Sequence, residues 1–193
     1  MSLQVPTPIV TDREAALRHA GSMPRRALFL DRDGVINVNH GYVHTVDATD
    51  WVPGIFDLAR HAYDTGWVLV VVTNQAGIAR GYYSRADFVE YTRWMHAEFA
   101  RHGAPLLATY YCPHHPEGKL EALRVNCNCR KPKPGMLLAA VSDWNISPAR
   151  SSMVGDHDTD LQAAHAAGIG RRWKLEEGGD NLDAIRARLS LDV

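Results

Sequence analysis

The feature that most limits how this chain can fold is a pair of short apolar runs that carry no charge and end abruptly in polar residues. They are Ala-Leu-Phe-Leu at 27–30 and Trp-Val-Leu-Val-Val-Val at 67–72. Neither run alternates apolar and polar residues, which is typical of strands buried on both faces of a parallel sheet. Parallel strands need crossover connections, usually helices. We therefore predict an α/β fold with a doubly wound, mainly parallel, Rossmann-like sheet and helices on both of its faces.

Further patterns supply the crossovers and the remaining strands. Pro53 and Gly54 open a helical pattern that ends at Gly66, and its apolar residues share one face. Ser84 and Asp87 have the spacing of a capping box at the start of a second helix. The same reasoning predicts strands within 106–111, just before 156 and within 169–175, and helices over 136–144 and 161–167.

Length and composition are those of a single domain with a substantial core, since 46% of the 193 residues are hydrophobic. Residues 1–24 are expected to form an N-terminal appendage with a short helix, and residues 25–193 the domain itself. The 21 basic and 22 acidic residues are spread along the chain, which argues against nucleic acid or an anionic membrane as partners. No segment approaches the roughly 20 apolar residues that span a bilayer, and no secretory pattern opens the chain, so we expect a cytoplasmic protein.

Two carboxylates, Asp31 and Asp33, follow the first strand directly, and Gly34 lets the backbone turn away after them. In open α/β sheets ligands bind outside the carboxyl ends of the strands, so both acids are expected to face a substrate. Neighbouring carboxylates repel each other and are tolerated mainly when a cation lies between them. The alternative interpretation is a polar turn after a strand, because Asp and Gly are common turn residues.

The other predicted strands also end in polar residues. Thr73, Asn74 and Gln75 follow the second apolar run. A hydroxyl and amides at the end of a strand offer hydrogen-bond donors to a phosphate group, although a Thr-Asn turn would have the same composition. Asp156 follows a later strand, with Asp160 one helical turn further along. The carboxyl ends of parallel strands share one edge of the sheet, so these residues are expected to meet.

The strongest metal-binding pattern is Cys112 and His114 with Cys127 and Cys129, separated by a polar loop. Three thiolates and an imidazole are the soft, four-ligand set that Zn²⁺ binds tetrahedrally in a structural site. A catalytic zinc would need an open coordination position, and here protein ligands fill all four. His115 could take the place of His114. The alternative interpretation is three free cysteines beside loop histidines.

Arg130 and Lys131 come directly after the last of these candidate ligands. Zinc bound at Cys127 and Cys129 would fix the adjacent backbone and so aim both cations with little entropy left to lose. They would then act as an electrostatic clamp on an anionic substrate. A basic surface turn is the simpler alternative.

Together these motifs resemble those of the haloacid dehalogenase superfamily of phosphatases, in the order acid pair, threonine, lysine, acid pair across residues 25–175. The resemblance implies that Asp31 is the nucleophile and Asp33 the acid/base. It implies that Thr73 and Lys131 hold the phosphoryl group during hydrolysis through an aspartyl-phosphate. It also implies a Mg²⁺ site made by Asp31, the backbone carbonyl of Asp33 and Asp156, with Asp160 in support.

A closer resemblance is to the D-glycero-D-manno-heptose-1,7-bisphosphate 7-phosphatase family. It is carried by the Cys/His loop joined to Arg130-Lys131-Pro132 and by His40-Gly41-Tyr42-Val43 after the first motif. It implies a Mg²⁺-dependent enzyme with a structural Zn²⁺ that removes the 7-phosphate of a small phosphorylated sugar. The pathway implied is the biosynthesis of nucleotide-activated heptose for lipopolysaccharide. Histidinol-phosphate phosphatases, which share the zinc loop, and other small sugar-phosphate phosphatases are the alternatives.

The substrate-binding residues expected on this basis are Asn39, His40, Gly41, Tyr42, Thr73, Asn74, Gln75, Arg130, Lys131 and His157. A second phosphate needs a cation beyond Lys131 and Mg²⁺, and Arg130 can supply it. His157 stands where the heptose enzymes carry a lysine, so one substrate contact is expected to differ. The loop from Asn39 to Tyr42 offers donors rather than the acids that would suit histidinol phosphate, which favours the heptose bisphosphate.

The chain leaves no room for a large cap domain. One loop, one helix and one strand use up residues 33–73, and a helix, a strand and the zinc loop use up residues 73–131. We therefore expect an open site and a monomer. Two interpretations from other classes are a non-catalytic zinc-stapled binding module and a phosphoacceptor domain. The near-neutral charge argues against the first, and the second gives no reason for a zinc loop beside a lysine.

Overall fold

This computed structural model describes residues 5–21 and 23–189 of the chain. Five strands, all paired in parallel, form one sheet in the order β3-β2-β1-β4-β5. Their bounds are β1 Ala27–Leu30, β2 Val68–Asn74, β3 Ala108–Cys112, β4 Ser152–Gly155 and β5 Arg171–Lys174. The predicted parallel sheet is confirmed, with the strand of the first apolar run at its centre.

The helices among the described residues are α1 Arg13–Leu17, α2 Ile55–Asp64, α3 Ala76–Arg80, α4 Arg85–Arg101, α5 Gly135–Trp144, α6 Asp158–Ala166 and α7 Leu182–Leu189. Short 3₁₀ turns lie at Glu121–Leu123, Pro148–Arg150 and Glu177–Gly179. The sequence patterns predict neither α3 nor α7. The other helices fall where the periodicity or capping residues place them.

Helices cover both faces of the sheet because side chains alternate along each strand. Leu28 and Leu30 of β1 belong to a buried cluster that includes side chains of α2, α4 and α7. Ala27 and Phe29 belong to a second cluster, which includes side chains of α5 and α6. A strand with apolar residues on both faces therefore lies between two helical layers, which confirms the doubly wound arrangement.

The local signals act as expected at two helices. The buried residues of α2 are the apolar face read from the sequence, namely Ile55, Leu58, Ala59, Ala62 and Tyr63. Ser84 accepts a hydrogen bond from the N–H of Asp87 at 3.1 Å, and the Asp87 carboxylate accepts one from the N–H of Ser84 at 2.8 Å. This reciprocal pair is the predicted capping box of α4.

The N-terminal stretch contacts the edge of the sheet. Ile9 pairs with Thr109 of β3 through N–H to O distances of 3.0 and 2.9 Å. The hydroxyl of Tyr63 donates to the carbonyl of Ala15 at 2.5 Å. The domain boundary at residue 24 stays a prediction.

The described residues contain no inserted lid domain. The chain between β1 and β2 forms a loop and α2, and the chain between β2 and β3 forms α3 and α4. The prediction that a large cap is absent is confirmed for this part of the chain. None of the helices within it combines the length and the apolar character needed to cross a membrane.

Candidate active site

The ends of β1 and β2 and the loops around them surround a cavity of about 470 Å³. Its lining includes most of the predicted site residues: Asp31, Asp33, Asn39, Gly41, Tyr42, Thr73, Asn74, Gln75, Arg130, Lys131, His157 and Asp160. Asp156 lines an adjoining cavity of about 450 Å³ that shares Asn39. His40 lines neither cavity, and its Nε2 lies 2.7 Å from the Asp50 carboxylate.

Lys131 is the buried cation of this site, only 4% exposed. Its Nζ lies 2.8 Å from Oδ1 of Asp31 and 2.6 Å from Oδ1 of Asp160, and it donates to the carbonyl of Val72 at 2.9 Å. Burial alone would lower the pKa of Lys131, but the two carboxylates outweigh it and raise that pKa. A charged ammonium group is therefore held at the floor of the cavity.

Asp31 follows β1 and is buried beside this cation. Its Oδ1 accepts a hydrogen bond from the backbone N–H of Arg32 at 2.7 Å, in addition to the contact with Lys131. Burial raises the pKa of Asp31 to about 7, opposed by Lys131 and reinforced by the charge of Asp160. The carboxylate of Asp31 therefore depends on nearby positive charge to stay ionised.

Asn74, at the end of β2, holds the backbone of Lys131. Its side-chain oxygen accepts from the N–H of Lys131 at 3.1 Å, and its amide nitrogen donates to the carbonyl of Lys131 at 3.2 Å. Both the oxygen and the nitrogen of the Asn74 amide are therefore engaged by the backbone of Lys131. The predicted contact of Asn74 with substrate stays a prediction, and the structure gives this side chain a positioning function.

Three side chains hold the carboxylate of Asp33. Nη2 of Arg32 lies 2.7 and 2.8 Å from its two oxygens, and the amide nitrogens of Asn37 and Gln75 each donate to it at 3.2 Å. Arg32 is fully buried and also donates to the carbonyl of Val43 at 2.6 Å. Burial alone would lower the pKa of Arg32, but the Asp33 carboxylate outweighs it and raises that pKa. The second acid is thereby fixed by a charged residue next to it in the sequence.

Gln75 links Asp33 to the threonine of the same strand end. It donates to Oγ1 of Thr73 at 2.8 Å, and its side-chain oxygen accepts from the hydroxyl of Tyr83 at 2.6 Å. Burial raises the pKa of Tyr83 to about 12, so this hydroxyl keeps its proton near neutral pH. Thr73 accepts a hydrogen bond from Gln75, so its own hydroxyl proton stays free to point into the cavity.

Three carboxylates converge beside the cavity. Asp31, Asp156 and Asp160 bring ligand oxygens within 4.8 Å of one another, and Oδ1 of Asp156 is buried without a hydrogen-bond partner. Gly34, at φ +90°, approaches so closely that a Cβ there would lie 2.1 Å from Oδ2 of Asp156. Burial raises the pKa of Asp156, and the charge of Asp160 adds to it. These hard oxygens fit a divalent cation such as Mg²⁺. The side chain of Asp33 is outside this group.

Two arginines and two histidines also belong to the lining of this cavity. Nη1 of Arg130 is buried without a hydrogen-bond partner. Arg80 and His115 also line the cavity, with 3.5 Å between Nη2 and Nε2. The ring of His157 is largely exposed, and its Nε2 lies 3.6 Å from Oδ2 of Asp156. This arrangement suits a substrate with a second anionic group.

The predicted soft-metal ligands lie together. The Sγ–Sγ distances are 3.2 Å from Cys129 to Cys112 and to Cys127, and 3.4 Å between the last two. Nδ1 of His114 lies 3.3 Å from Sγ of Cys129, and no disulfide joins the three cysteines. Ligands about 2.0–2.3 Å from a tetrahedral metal are spaced about 3.3–3.8 Å apart. The four side chains are thus gathered close to that spacing, with the Sγ–Sγ distances at or just below its lower end. His114 rather than His115 completes the group.

The sequence indicates the segment 80–83 as part of the pocket, but it gives no positioning function to Arg32, Asn37 or Tyr83, which hold Asp33 and Gln75. One signal was present. Arg32 stands between two acids directly after an apolar strand, where a charged side chain needs a partner if it is buried. Asn37 and Tyr83 carry no comparable signal, since their contacts depend on how the loops fold back.

The parallel sheet, the acids at its carboxyl edge and the buried lysine define a haloacid-dehalogenase-like hydrolase. A family model described as HAD-hydrolase-like matches residues 128–171. A HAD-like phosphatase from Mesorhizobium loti superposes with a TM-score of 0.79 at 30% identity, covering 86% of this chain and 87% of that one. A D,D-heptose 1,7-bisphosphate phosphatase from B. bronchiseptica, complexed with magnesium and phosphate, gives a TM-score of 0.77 at 29% identity, covering 87% of this chain and 99% of that one.

Curated relatives define the family more narrowly. The chain is 49% identical over 159 residues to the D-glycero-beta-D-manno-heptose-1,7-bisphosphate 7-phosphatase of Salmonella typhi, covering 82% of this chain and 84% of that protein. For the enzyme of the same name from Vibrio cholerae the identity is 47% over 156 residues, covering 81% and 84%. The chain belongs to the D-glycero-beta-D-manno-heptose-1,7-bisphosphate 7-phosphatase family, which confirms the resemblance found in its motifs. It is therefore a phosphatase.

Proposed function

We propose that this chain hydrolyses the 7-phosphate of D-glycero-β-D-manno-heptose 1,7-bisphosphate through an aspartyl-phosphate, as a step towards nucleotide-activated heptose. The observation that carries the proposal is the pairing of Asp31 with Lys131 at 2.8 Å on the floor of the cavity. The relatives at 47–49% identity are named for this reaction on the β anomer.

In the first step, Oδ2 of Asp31 attacks phosphorus, because Oδ1 is engaged by Arg32 and Lys131. The bond from phosphorus to the sugar oxygen breaks as the new bond forms. Lys131 offsets the charge of the phosphoryl oxygens, and the hydroxyl of Thr73 donates a hydrogen bond to one of them. A phosphate monoester is a stable dianion, so positioning and positive charge supply most of the catalysis.

Asp33 is the acid and base of the two steps. Its protonated carboxyl group gives a proton to the sugar oxygen as that oxygen leaves. The resulting carboxylate then takes a proton from the water that attacks the aspartyl-phosphate, which releases phosphate and regenerates Asp31. Arg32, Asn37 and Gln75 hold this carboxyl group in place through both steps.

The carboxylates of Asp31 and Asp156 and the backbone carbonyl of Asp33 would hold Mg²⁺, with Asp160 in support. When bound, Mg²⁺ supplies positive charge that orients the phosphoryl group. The unpartnered Oδ1 of Asp156 supports this assignment. Cys112, His114, Cys127 and Cys129, here called the Cys/His cluster, would hold a structural Zn²⁺ that stabilises the loop leading to Lys131. In the same loop, Lys133 donates to the carbonyl of Cys127 at 2.9 Å.

Arg130 would bind the phosphate at the other end of the sugar. Its buried, unpartnered Nη1 offers a donor beyond Lys131. His157 would contribute a weaker donor where the heptose enzymes carry a lysine. We further propose that the enzyme is active as a monomer, because a single chain already brings Asp31, Asp33 and Lys131 together at the cavity. We also propose that it acts in the cytoplasm.

Steady-state kinetics with the two heptose-bisphosphate anomers and histidinol phosphate test the substrate. We expect the highest kcat/KM for the β anomer, activity with Mg²⁺ and none with a chelator. A higher kcat/KM for histidinol phosphate would assign the chain to the alternative reaction.

Asp31→Asn tests the covalent mechanism. It should abolish turnover while the far-ultraviolet circular dichroism stays unchanged, and Asp47→Asn in the exposed loop after β1 is the matched control. Near-parental turnover of Asp31→Asn, with deamidation excluded by mass spectrometry, would refute an aspartyl-phosphate at this residue.

A further inference from the structure

His44 lies close to the catalytic cavity, yet no step of the proposed reaction uses it. Its side chain lines a neighbouring cavity of about 500 Å³ and not the catalytic one, whereas Tyr83 lines both. The ring of Tyr83 is therefore part of the wall between the two cavities. Any effect of His44 on catalysis has to act through a neighbour rather than through contact with substrate.

The imidazole of His44 stacks on the ring of Tyr83. The ring centroids are 4.5 Å apart and the two planes differ by 18°. Nδ1 of His44 lies 2.7 Å from the carbonyl oxygen of Tyr42, and it carries the proton because a carbonyl only accepts. The next carbonyl, that of Val43, accepts from the fully buried Arg32 at 2.6 Å. The backbone before His44 and the rotation of its ring are thereby both fixed.

Tyr83 is also confined by the backbone of Gly77 in α3. A Cβ at Gly77 would lie 2.2 Å from Cε1, 2.5 Å from Cζ and 2.6 Å from Oη of Tyr83. With Gly77 and His44 both in contact with it, the ring is only 6% exposed and has little room to turn. Without the imidazole, the phenol ring would gain space to leave its present rotamer.

The direction of the Tyr83 hydroxyl matters because it fixes Gln75. The hydroxyl donates to Oε1 of Gln75 at 2.6 Å, and Nε2 of Gln75 donates to Oγ1 of Thr73 at 2.8 Å and to Oδ2 of Asp33 at 3.2 Å. An amide that loses the bond to its oxygen can turn over and exchange oxygen for nitrogen. The oxygen of Gln75 would then face the Asp33 carboxylate, and two acceptors cannot form a hydrogen bond.

We propose that His44 is a positioning residue for the reaction. Its ring holds Tyr83 in place, and Tyr83 in turn keeps Gln75 in the orientation that Asp33 and Thr73 require. This inference rests on the proposed function, in which Asp33 is the acid and base.

Two substitutions separate the ring of His44 from its N–H. His44→Phe keeps a flat ring that can stack, whereas His44→Asn keeps a donor and has no ring. In steady-state kinetics with the β anomer of the heptose bisphosphate, His44→Ala and His44→Asn should lower kcat by up to about tenfold, the size expected for one lost hydrogen bond, with KM unchanged. His44→Phe should keep most of the parental kcat. Thr45→Ala is the matched control, because Thr45 lines the same neighbouring cavity and not the catalytic one.

A double variant tests whether His44 acts through Tyr83. Adding His44→Ala to Tyr83→Phe should leave kcat at the value of Tyr83→Phe, because the hydroxyl that His44 directs is already absent. Additive losses would overturn the proposal, since His44 would then act through another residue. It would also be overturned by a parental kcat in His44→Ala, by a loss as large in His44→Phe as in His44→Ala, or by an effect confined to KM.

A measurement without substrate distinguishes failure of this inference from failure of the proposed function. The side-chain amide signals of Gln75 in a ¹H–¹⁵N spectrum, assigned with Gln75→Glu, should move in His44→Ala towards their positions in Tyr83→Phe. They should stay in place in Thr45→Ala. A parent chain without turnover would refute the proposed reaction alone, whereas Gln75 signals that His44→Ala leaves in place would overturn the positioning function of His44.

Discussion

His96 makes the stability of this fold depend on pH in a way that can be calculated. The side chain lies on α4, is 2% exposed, and is held between two hydroxyls. Nδ1 lies 2.9 Å from Oγ1 of Thr11 and Nε2 lies 2.8 Å from Oγ1 of Thr109. Burial lowers the pKa of His96 to about 4, whereas an exposed histidine has a pKa of about 6.5. The folded chain therefore favours the neutral ring.

Between these two pKa values the unfolded chain binds a proton that the folded chain does not. Stability is therefore fully present above the unfolded pKa and falls as the pH is lowered towards the folded one. With these two values, linkage gives a loss of about 2 kcal/mol between about pH 8 and about pH 5.

Urea unfolding of the parent chain and of His96→Gln, each at about pH 8 and about pH 5, measures this contribution. The glutamine keeps a donor and an acceptor between the two threonines but does not titrate. We expect the parent to lose about 2 kcal/mol more than the variant on acidification. His165→Gln, at an exposed position of α6, should lose as much as the parent. Parallel behaviour of parent and His96→Gln would refute the assignment of the effect to this ring.

Three further predictions concern the catalytic cavity and the neighbouring Cys/His cluster. Lys131→Met should cost about 3 kcal/mol or more of stability, because two buried carboxylates lose their partner, and should abolish phosphate release; urea unfolding and a phosphate assay check both. Cys127→Ser should lose bound zinc and lower the melting temperature, as metal analysis and calorimetry would show. Tyr83→Phe should lower kcat roughly tenfold with little change in KM, because Gln75 loses a hydrogen bond. Since burial raises the pKa of Tyr83 to about 12, kinetics should show the same loss at about pH 7 and about pH 9.

Each of these three predictions can be contradicted by one result. Arg93→Ala, at an exposed position of α4, is the control variant for all three. A Lys131→Met chain of parental stability would mean that the carboxylates do not need the cation. Full melting temperature and activity in zinc-free Cys127→Ser would remove the structural function of the cluster. An effect of Tyr83→Phe confined to KM would mean that Tyr83 touches substrate rather than positioning Gln75.

The strand ends could be predicted because the signals there are local and strong. Strand β1 and residues 68–72 of β2 are apolar, and the first charged or polar residue that follows each apolar run marks the carboxyl end of the strand. Asp31 and Thr73 therefore fell at the correct edge, and parallel pairing in neighbouring strands brought them together. The same reasoning placed Asp156 after β4.

Helix α3 could not be predicted, because tertiary packing overrides the local preference. Ala76–Arg80 is five residues long and contains Gly77, a poor helix former. The ring of Tyr83 lies where a side chain at Gly77 would be, since a Cβ there would come within 2.2 Å of it. The glycine marks a close approach between two segments, and nothing in the pattern around it reveals the ring that needs the space.

The sequence also could not show which polar residues face the substrate and which hold other residues in position. Asn74 has the residue type and position of a phosphate donor, yet its amide binds the backbone of Lys131, 57 residues further along the chain. That lysine also lies two residues after Cys129, the last ligand of the Cys/His cluster. The end of β2 and the cluster therefore hold one cation from two sides, and the direction of its ammonium group towards Asp31 follows from both. A motif can identify the lysine, but only the fold determines where its ammonium group lies.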